Sequence, residues 1–485
     1  MGWGRISLLV VMALAVGLGA GFMLSSLVME TTLSGTPIRS QPLAKGPAVT
    51  EPLGDRGLRW LAVGGGALPE LNQVSIQQNL QRWAEIHGEQ RGQILASSGS
   101  GTRTVQVLSR ARPHRGTRAL LGDLLMPKAG RDTTYEPVGF ARVHGATRPN
   151  LLGALRRSLE GEGPPFTLLL TGHGEMGASR KEASFGLWLS DGIKVEALAA
   201  YLDDLNRPRT LRAVVTSCYS GGFAELIFRG ANSKAGPSEQ IRCGLFATRH
   251  DRVASGCDPN PDRSVQQGYG KYLLAALSDA RAAADFNQDG RGSLLEAHTA
   301  VRLHSPAADL PTTTSERWLE VVAPAEGPEV DVELPEEEGL IAALEAKGAQ
   351  RVSRQRLEGV IEALGKELEA VQIDLDQTWR ELASPILARW PELDDPWHPG
   401  FARAFAAAEA ALDGIVSLEL TRAYGEALRQ QADVLDRRYA AQAELAPLDR
   451  LEQARSTRAR ARRLAAVGGA DWRRFQQIRA CEASP

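Results

Sequence analysis

Two short apolar runs stand out in the pattern of hydrophobic and polar positions. Phe166 to Leu170, in FTLLLTGHGEMG, and Leu211 to Val215, in LRAVVTSCYSGGFAEL, are β-rich and uncharged except at Arg212, as strands buried on both faces are. Further strands are predicted at Leu58 to Val63, Gly92 to Ala96 and Cys243 to Thr248. A capping box of Ser75 with Gln78 is read as opening a helix with Ile76, Leu80 and Trp83 on one face. Helices follow at Asn150 to Leu159, Glu196 to Leu205, Phe223 to Phe228 and Tyr269 to Leu277, and GLWLSDGIKV reads as a hairpin turning at Asp191-Gly192. Strands that alternate with helices predict an α/β fold, a mostly parallel sheet between helices. Gly64-Gly65-Gly66 reads as a tight strand exit, because the spacing of a phosphate loop is missing.

The pattern changes at both ends. Ile6 to Met29 is an apolar run preceded by Arg5, close to the roughly 20 residues that cross a bilayer. Residues 1–29 therefore read as an N-terminal transmembrane anchor that leaves the rest of the chain extracytoplasmic, or as a signal peptide cleaved near Ser25-Ser26. Residues 30–57 read as a flexible tether, and residues 58–315 as the α/β domain. Within that domain Arg110 to Gly145 reads as a long surface insertion, either bordering a substrate cleft or disordered. An acidic, Pro-containing linker at 316–338 leads to a helical or coiled-coil module at 339–485. In the module Leu357, Ile361, Leu364, Leu368, Val371 and Leu375 recur at coiled-coil-like intervals, and breaks are expected at Pro385, Pro391, Pro396, Pro399 and Pro447. A hairpin or small bundle packing on itself is preferred there to a partner-specific coiled coil, although a protein partner through these helices stays open.

Composition alters this picture little. The 485 residues suffice for two or three domains, and a net charge of -2 gives no reason to expect nucleic acid as a partner. Four cysteines exclude a disulfide scaffold, but in an oxidising compartment Cys243 and Cys257 can pair, while Cys481 shows no evident role. Zinc on Cys218, Cys243, Cys257 and His250 lacks the usual ligand spacing.

The chemistry gathers at the ends of the two apolar runs. One ends at His173-Gly174 and the other at Cys218, followed by Ser220, Gly221 and Gly222. Functional groups in open α/β sheets collect at the carboxyl ends of strands, so the two tips can sit side by side. A helix starting after Cys218 is expected to favour its thiolate.

A strand ending in His-Gly and another ending in a small residue and Cys resemble the caspase-like cysteine peptidases, which include legumains, caspases, metacaspases and gingipains. The similarity covers roughly Leu58 to Ala280 and lies nearest the bacterial legumain-like and caspase-like proteins. It implies a caspase-like sandwich, Cys218 as nucleophile, His173 as acid/base, and an oxyanion hole from the backbone N–H groups of Gly174 and Cys218. A peptide or protein would be the substrate, with no cofactor for catalysis. Ser217-Cys218-Tyr219-Ser220-Gly221 departs from the caspase motif, and Thr216 stands where metacaspases carry an acid, so cleavage after Asp is not implied. The segment TRHDRVASGCD would line the specificity pocket, offering Asp251 and Asp258 to a basic residue or Arg249 and Arg252 to an acidic one, with Ser255 beside them. An inactive scaffold on the same fold, or a transamidase using the same dyad, are the rival functions.

Asp285 to Glu296 matches a twelve-residue EF-hand loop, with Asp285, Asn287, Asp289, Ser293 and Glu296 as side-chain donors, the carbonyl of Arg291, and Gly290 at the sharp turn. Calcium is the expected ion. Gly292 replaces the apolar residue that ties paired loops together, which suggests a single, structural loop.

Overall fold

The computed structural model describes residues 58–108, 116–125, 133–141, 143–278, 285–395 and 398–484. The proposed anchor and tether, with Arg5, and the Pro396 break lie outside the described residues. Among those described, no helix is long and apolar enough to cross a membrane.

The chain divides into two compact units, and its division is not the one suggested by composition. Among the described residues, one contains those of 58–105, 136–354 and 443–484, and the other combines those of 106–135 and 355–442. The first is α/β, built on a six-stranded sheet whose strands are β1 (Trp60–Gly65), β2 (Gly92–Ala96), β3 (Phe166–Gly172), β4 (Leu211–Val215), β5 (Arg242–Phe246) and β6 (Thr312–Thr313). Their order is β6-β5-β4-β3-β1-β2, all parallel except β6. The apolar runs are the central pair, buried along their length, since parallel strands covered on both faces need no polar alternation.

Helices α1 (Val74–His87), α2 (Arg148–Ser158), α3 (Val195–Leu205), α4 (Tyr269–Ser278), α5 (Leu294–His304), α6 (Thr314–Val322), α7 (Pro335–Ala346) and α8 (Gly469–Glu482) belong to this unit. One core joins Leu61, Leu168, Leu170, Ala213 and Val215 to Leu151 and Leu155 of α2 and Leu198 and Leu202 of α3. A second joins Cys243 of β5 to Trp318 and Leu319 of α6 and to Phe475, Ile478 and Cys481 of α8.

Several local expectations are corrected. Ser75 caps nothing in α1; its hydroxyl accepts from the Asp258 N–H at 2.7 Å, and the N-cap is Gln73. The hairpin strands are Ser184–Leu187 and Ser190–Lys194, so the turn is Trp188-Leu189 and not Asp191-Gly192. Distant hydrogen bonds fix that turn: Trp188 N–H donates to Ala146 O at 2.9 Å and Leu189 N–H to Ala67 O at 3.1 Å. These hold Leu189 at φ 52 and override the local Asp-Gly signal. Disulfide pairing is also corrected. Cys243 bonds to Cys481, 238 residues away and 6.0 Å between Cα atoms, while Cys257 is free. Cys481 faces Cys243 because α8 packs its apolar side against β5.

The linker region is ordered differently from the sequence expectation. Residues 314–322 form α6, and beyond it Val330 N–H donates to Arg462 O while Arg462 and Arg463 pair with Asp331 and Glu329. Arg462 and Arg463 thus anchor this acidic segment.

In the other unit, helix Arg354–Arg389 runs through Pro385, and helix Leu418–Val467 runs through Pro447 into the α/β unit. Each proline removes one backbone bond, to the carbonyl four residues back, but burial of flanking residues such as Leu382, Ile386, Leu445 and Leu451 holds the helices continuous. Within the 110–145 insertion, Thr133–Pro137 is a strand and Thr117–Leu125 a helix whose Leu121, Leu124 and Leu125 join Leu382, Ile386, Phe401 and Phe405 in one core. Trp379 donates to Leu124 O at 2.6 Å and Arg118 pairs with Glu409 at 2.9 Å. Residues 117–125 are therefore a packed helix and not a loop. Leu364 and Leu368 pack on Val434 and Leu435 of the same chain, as a self-packing bundle requires.

Candidate active site

Parallel pairing of β3 with β4 brings the two tips together. Leu170 lies opposite Val215, and Thr216 N–H donates to Leu170 O at 2.9 Å. His173 and Cys218 lie equally far beyond that pair. Gly172 has φ +156, and a Cβ there would stand 2.5 Å from the Gly65 carbonyl oxygen, so only glycine lets the chain leave β3 beside β1. A Cβ on Gly174 would stand 2.3 Å from Cys218 O and 2.8 Å from Ser217 Oγ. The His-Gly tip and the Ser-Cys tip are therefore in direct backbone contact.

The backbone donor at Gly174 is available by register. Gly174 lies opposite Phe185 in an antiparallel pair, and Gly186 N–H donates to His173 O at 3.0 Å. That bond makes Gly174–Phe185 a non-hydrogen-bonded pair, so the ladder does not use the Gly174 N–H.

His173 is half-buried, and its Nε2 lies 2.9 Å from Gln73 Oε1. Burial lowers its pKa to about 4, so the imidazole is neutral at pH 7. The Cys218 sulfur accepts from the Ala254 N–H at 3.3 Å and donates towards Ala254 O at 3.7 Å. Burial pushes its thiol up to about 11, with the Ala254 N–H acting in the opposite direction. This corrects the expected thiolate: residues Ser220–Ile227 form a 3-10 helix, and desolvation of the sulfur outweighs its terminus. With these shifts the thiol and the imidazole are both neutral between about pH 4 and about pH 11.

The loop after β5 wraps around the cysteine tip. Ser220 Oγ accepts from Thr248 N–H at 3.2 Å, and Tyr219 N–H donates to Arg252 O at 2.8 Å. Of the proposed pocket residues, Arg249 and Asp251 form an exposed pair at 2.7 Å, and Arg252 lies 3.7 Å from Asp449. Asp258 accepts from Asn260 N–H at 2.7 Å, closing its own turn. Ser255, adjacent to the sulfur's partner Ala254, donates through both N–H (2.8 Å) and Oγ (3.0 Å) to Asp309 Oδ1. Asp309 is 3% exposed, and its Oδ2 has no hydrogen bond among the described residues. Burial lifts its pKa to about 7. Sequence reasoning missed both Gln73 and Asp309: each is a lone polar residue in a loop, and its partner lies far along the chain.

In the EF-hand-like loop, Asp285 accepts from the N–H groups of Asp289 (3.0 Å) and Gly290 (2.9 Å), and Gly290 has φ +75. Asn287 accepts from Asp289 N–H, and Asp289 from Arg291 N–H. Glu296, fully buried, accepts from Phe286 and Ser293 N–H and forms a capping box with Ser293 on α5. Among the described residues no group of three or more His, Cys, Asp or Glu converges as a metal site. Cys243 is in a disulfide and has no thiolate to offer zinc.

Compared with known proteins, the sequence matches no protein-family model, and a search of the curated proteins finds no match.

Proposed function

We propose that the chain is a caspase-like cysteine endopeptidase with Cys218 as nucleophile and His173 as acid/base. The observation that carries this reading is the contact of the two tips, fixed by the Leu170–Val215 register and the glycine at 174. The Cys218 proton passes to His173, and the sulfur attacks the scissile carbonyl carbon. The C–N bond breaks as His173 returns the proton to the leaving amine, and water then hydrolyses the thioester. The N–H of Gly174, together with that of Cys218, supplies the donors for the developing oxyanion. An amine in place of water would make the enzyme a transamidase.

The reading includes secretion across a membrane with retention by an N-terminal anchor. The Cys243–Cys481 disulfide supports it, since such bonds persist in oxidising compartments. It also includes Ca²⁺ on the Asp285 to Glu296 loop. Support there is the spacing and the turn at Gly290. Titration with Ca²⁺ followed by melting tests this site, where no shift at millimolar Ca²⁺ would rule it out.

A peptide-library digest comparing wild type with Cys218→Ala and His173→Ala tests the function. Cleavage by wild type alone is expected. Incorporation of added amines without hydrolysis would indicate a transamidase, and no turnover together with no labelling of Cys218 would indicate a scaffold.

A further inference from the structure

We propose that Gln73 is a positioning residue that sets the tautomer of His173, leaving Nδ1 as the ring nitrogen that takes and returns the dyad's proton. The proposal rests on reading His173 and Cys218 as that dyad. A glutamine amide has one donating and one accepting end. Gln73 Nε2 donates to the Glu70 backbone carbonyl at 2.8 Å, and a carbonyl can only accept, which fixes the amide's orientation. Its Oε1 therefore faces His173 Nε2 at 2.9 Å. This oxygen also only accepts, so Nε2 of the imidazole must carry the hydrogen. In a neutral ring the lone pair then resides on Nδ1, and burial alone keeps the ring neutral at pH 7.

The relay is built into the main chain. Glu70 lies in the 3-10 turn Pro69–Leu71 that follows β1, and Gln73 is the N-cap of α1 and 5% exposed. β1 pairs with β3 as far as Gly65 opposite Gly172, so the orienting turn leaves the sheet one strand away from His173. In the reaction the Sγ–H proton moves to Nδ1, giving thiolate and imidazolium, while Nε2–H stays on Gln73. As the C–N bond breaks, the Nδ1 proton passes to the leaving nitrogen. The opposite tautomer has a hydrogen on Nδ1 and cannot accept there.

The test uses full-length protein with ¹⁵N-labelled histidine, His173 being assigned with His173→Ala and folding followed by melting. Long-range ¹H–¹⁵N correlation at pH 7 should show wild-type His173 protonated at Nε2 only, and Gln73→Leu should populate both tautomers. Gln73→Glu should keep the Nε2 hydrogen and raise the His173 pKa by at least about one unit, since a carboxylate stabilises the imidazolium. A peptidyl electrophile should label Cys218 about tenfold more slowly in Gln73→Leu, the loss expected for one hydrogen bond of this kind. A hydrogen on Nδ1 in wild type, or the same tautomer in Gln73→Leu, would overturn the proposal. Expected tautomers without any labelling of wild-type Cys218 would leave the tautomer assignment standing and overturn its catalytic role.

Discussion

The glycine at 174 decides how near the histidine and cysteine tips can come. With a Cβ there 2.3 Å from the Cys218 carbonyl, backbone must move to admit even alanine. Gly174→Ala should lower stability by about 1–3 kcal/mol, the usual range for overpacking. It should also abolish Cys218 labelling by a peptidyl electrophile, and calorimetry with labelling on one sample checks both effects. The buried carboxyl of Asp309 gives a second residue-scale prediction, about pH. Its pKa rises from 3.8 unfolded to about 7 folded, so the folded state prefers the protonated acid. The stability it contributes is full below pH 3.8 and is lost as pH rises through about 7. Facing it are Ser255 and, through its own carbonyl, Arg450. Asp309→Asn cannot ionise, so it should gain on wild type between pH 5 and 8 by on the order of a few kcal/mol. Melting curves across that range check it, and parallel wild-type and variant curves would refute it.

At the scale of elements, α8 is fastened to the sheet by more than its apolar side. Besides the disulfide to β5, Glu482 accepts from Ser315 N–H and Oγ and from Thr314 Oγ1 at 2.6–2.7 Å, and Arg479 pairs with Glu336 and Glu337. Arg212, the one charge in the β4 run, donates to Ser484 O and Oγ. Cys481→Ser should therefore leave α8 docked but lower stability by up to about 5 kcal/mol, because the bond closes a very long loop. Denaturant melts with and without reductant check this: reductant should bring wild type to the variant's midpoint and leave the variant unmoved. The buried strands and most helices were legible because apolar runs and periods are local signals. The capping of α1 and the turn at Trp188-Leu189 were not. Ser75 is held by Asp258, and the turn by Ala67 and Ala146, partners that no local window contains.

For the whole molecule, each compact unit draws on separated stretches of sequence, so composition alone misplaced the boundaries. Helix Leu418–Val467 serves both units, and the division falls at Gln442, next to Ala443, whose carbonyl Pro447 leaves without its helical partner. The juxtaposition of the His173 and Cys218 tips was legible because strand order and register place the two residues at matching depths. The electrostatic state of the cysteine was not, since the sulfur is buried and its hydrogen-bond partner, Ala254, lies 36 residues further along the chain. The pairing of Cys218 and His173 as nucleophile and base is tested most directly by labelling of Cys218 by a peptidyl electrophile, mapped by mass spectrometry in wild type and His173→Ala at pH 7. Stoichiometric labelling of Cys218 is expected in wild type, with a loss of at least about a hundredfold in rate without the histidine. Equal rates in the two proteins, or labelling at Cys257 in place of Cys218, would contradict it.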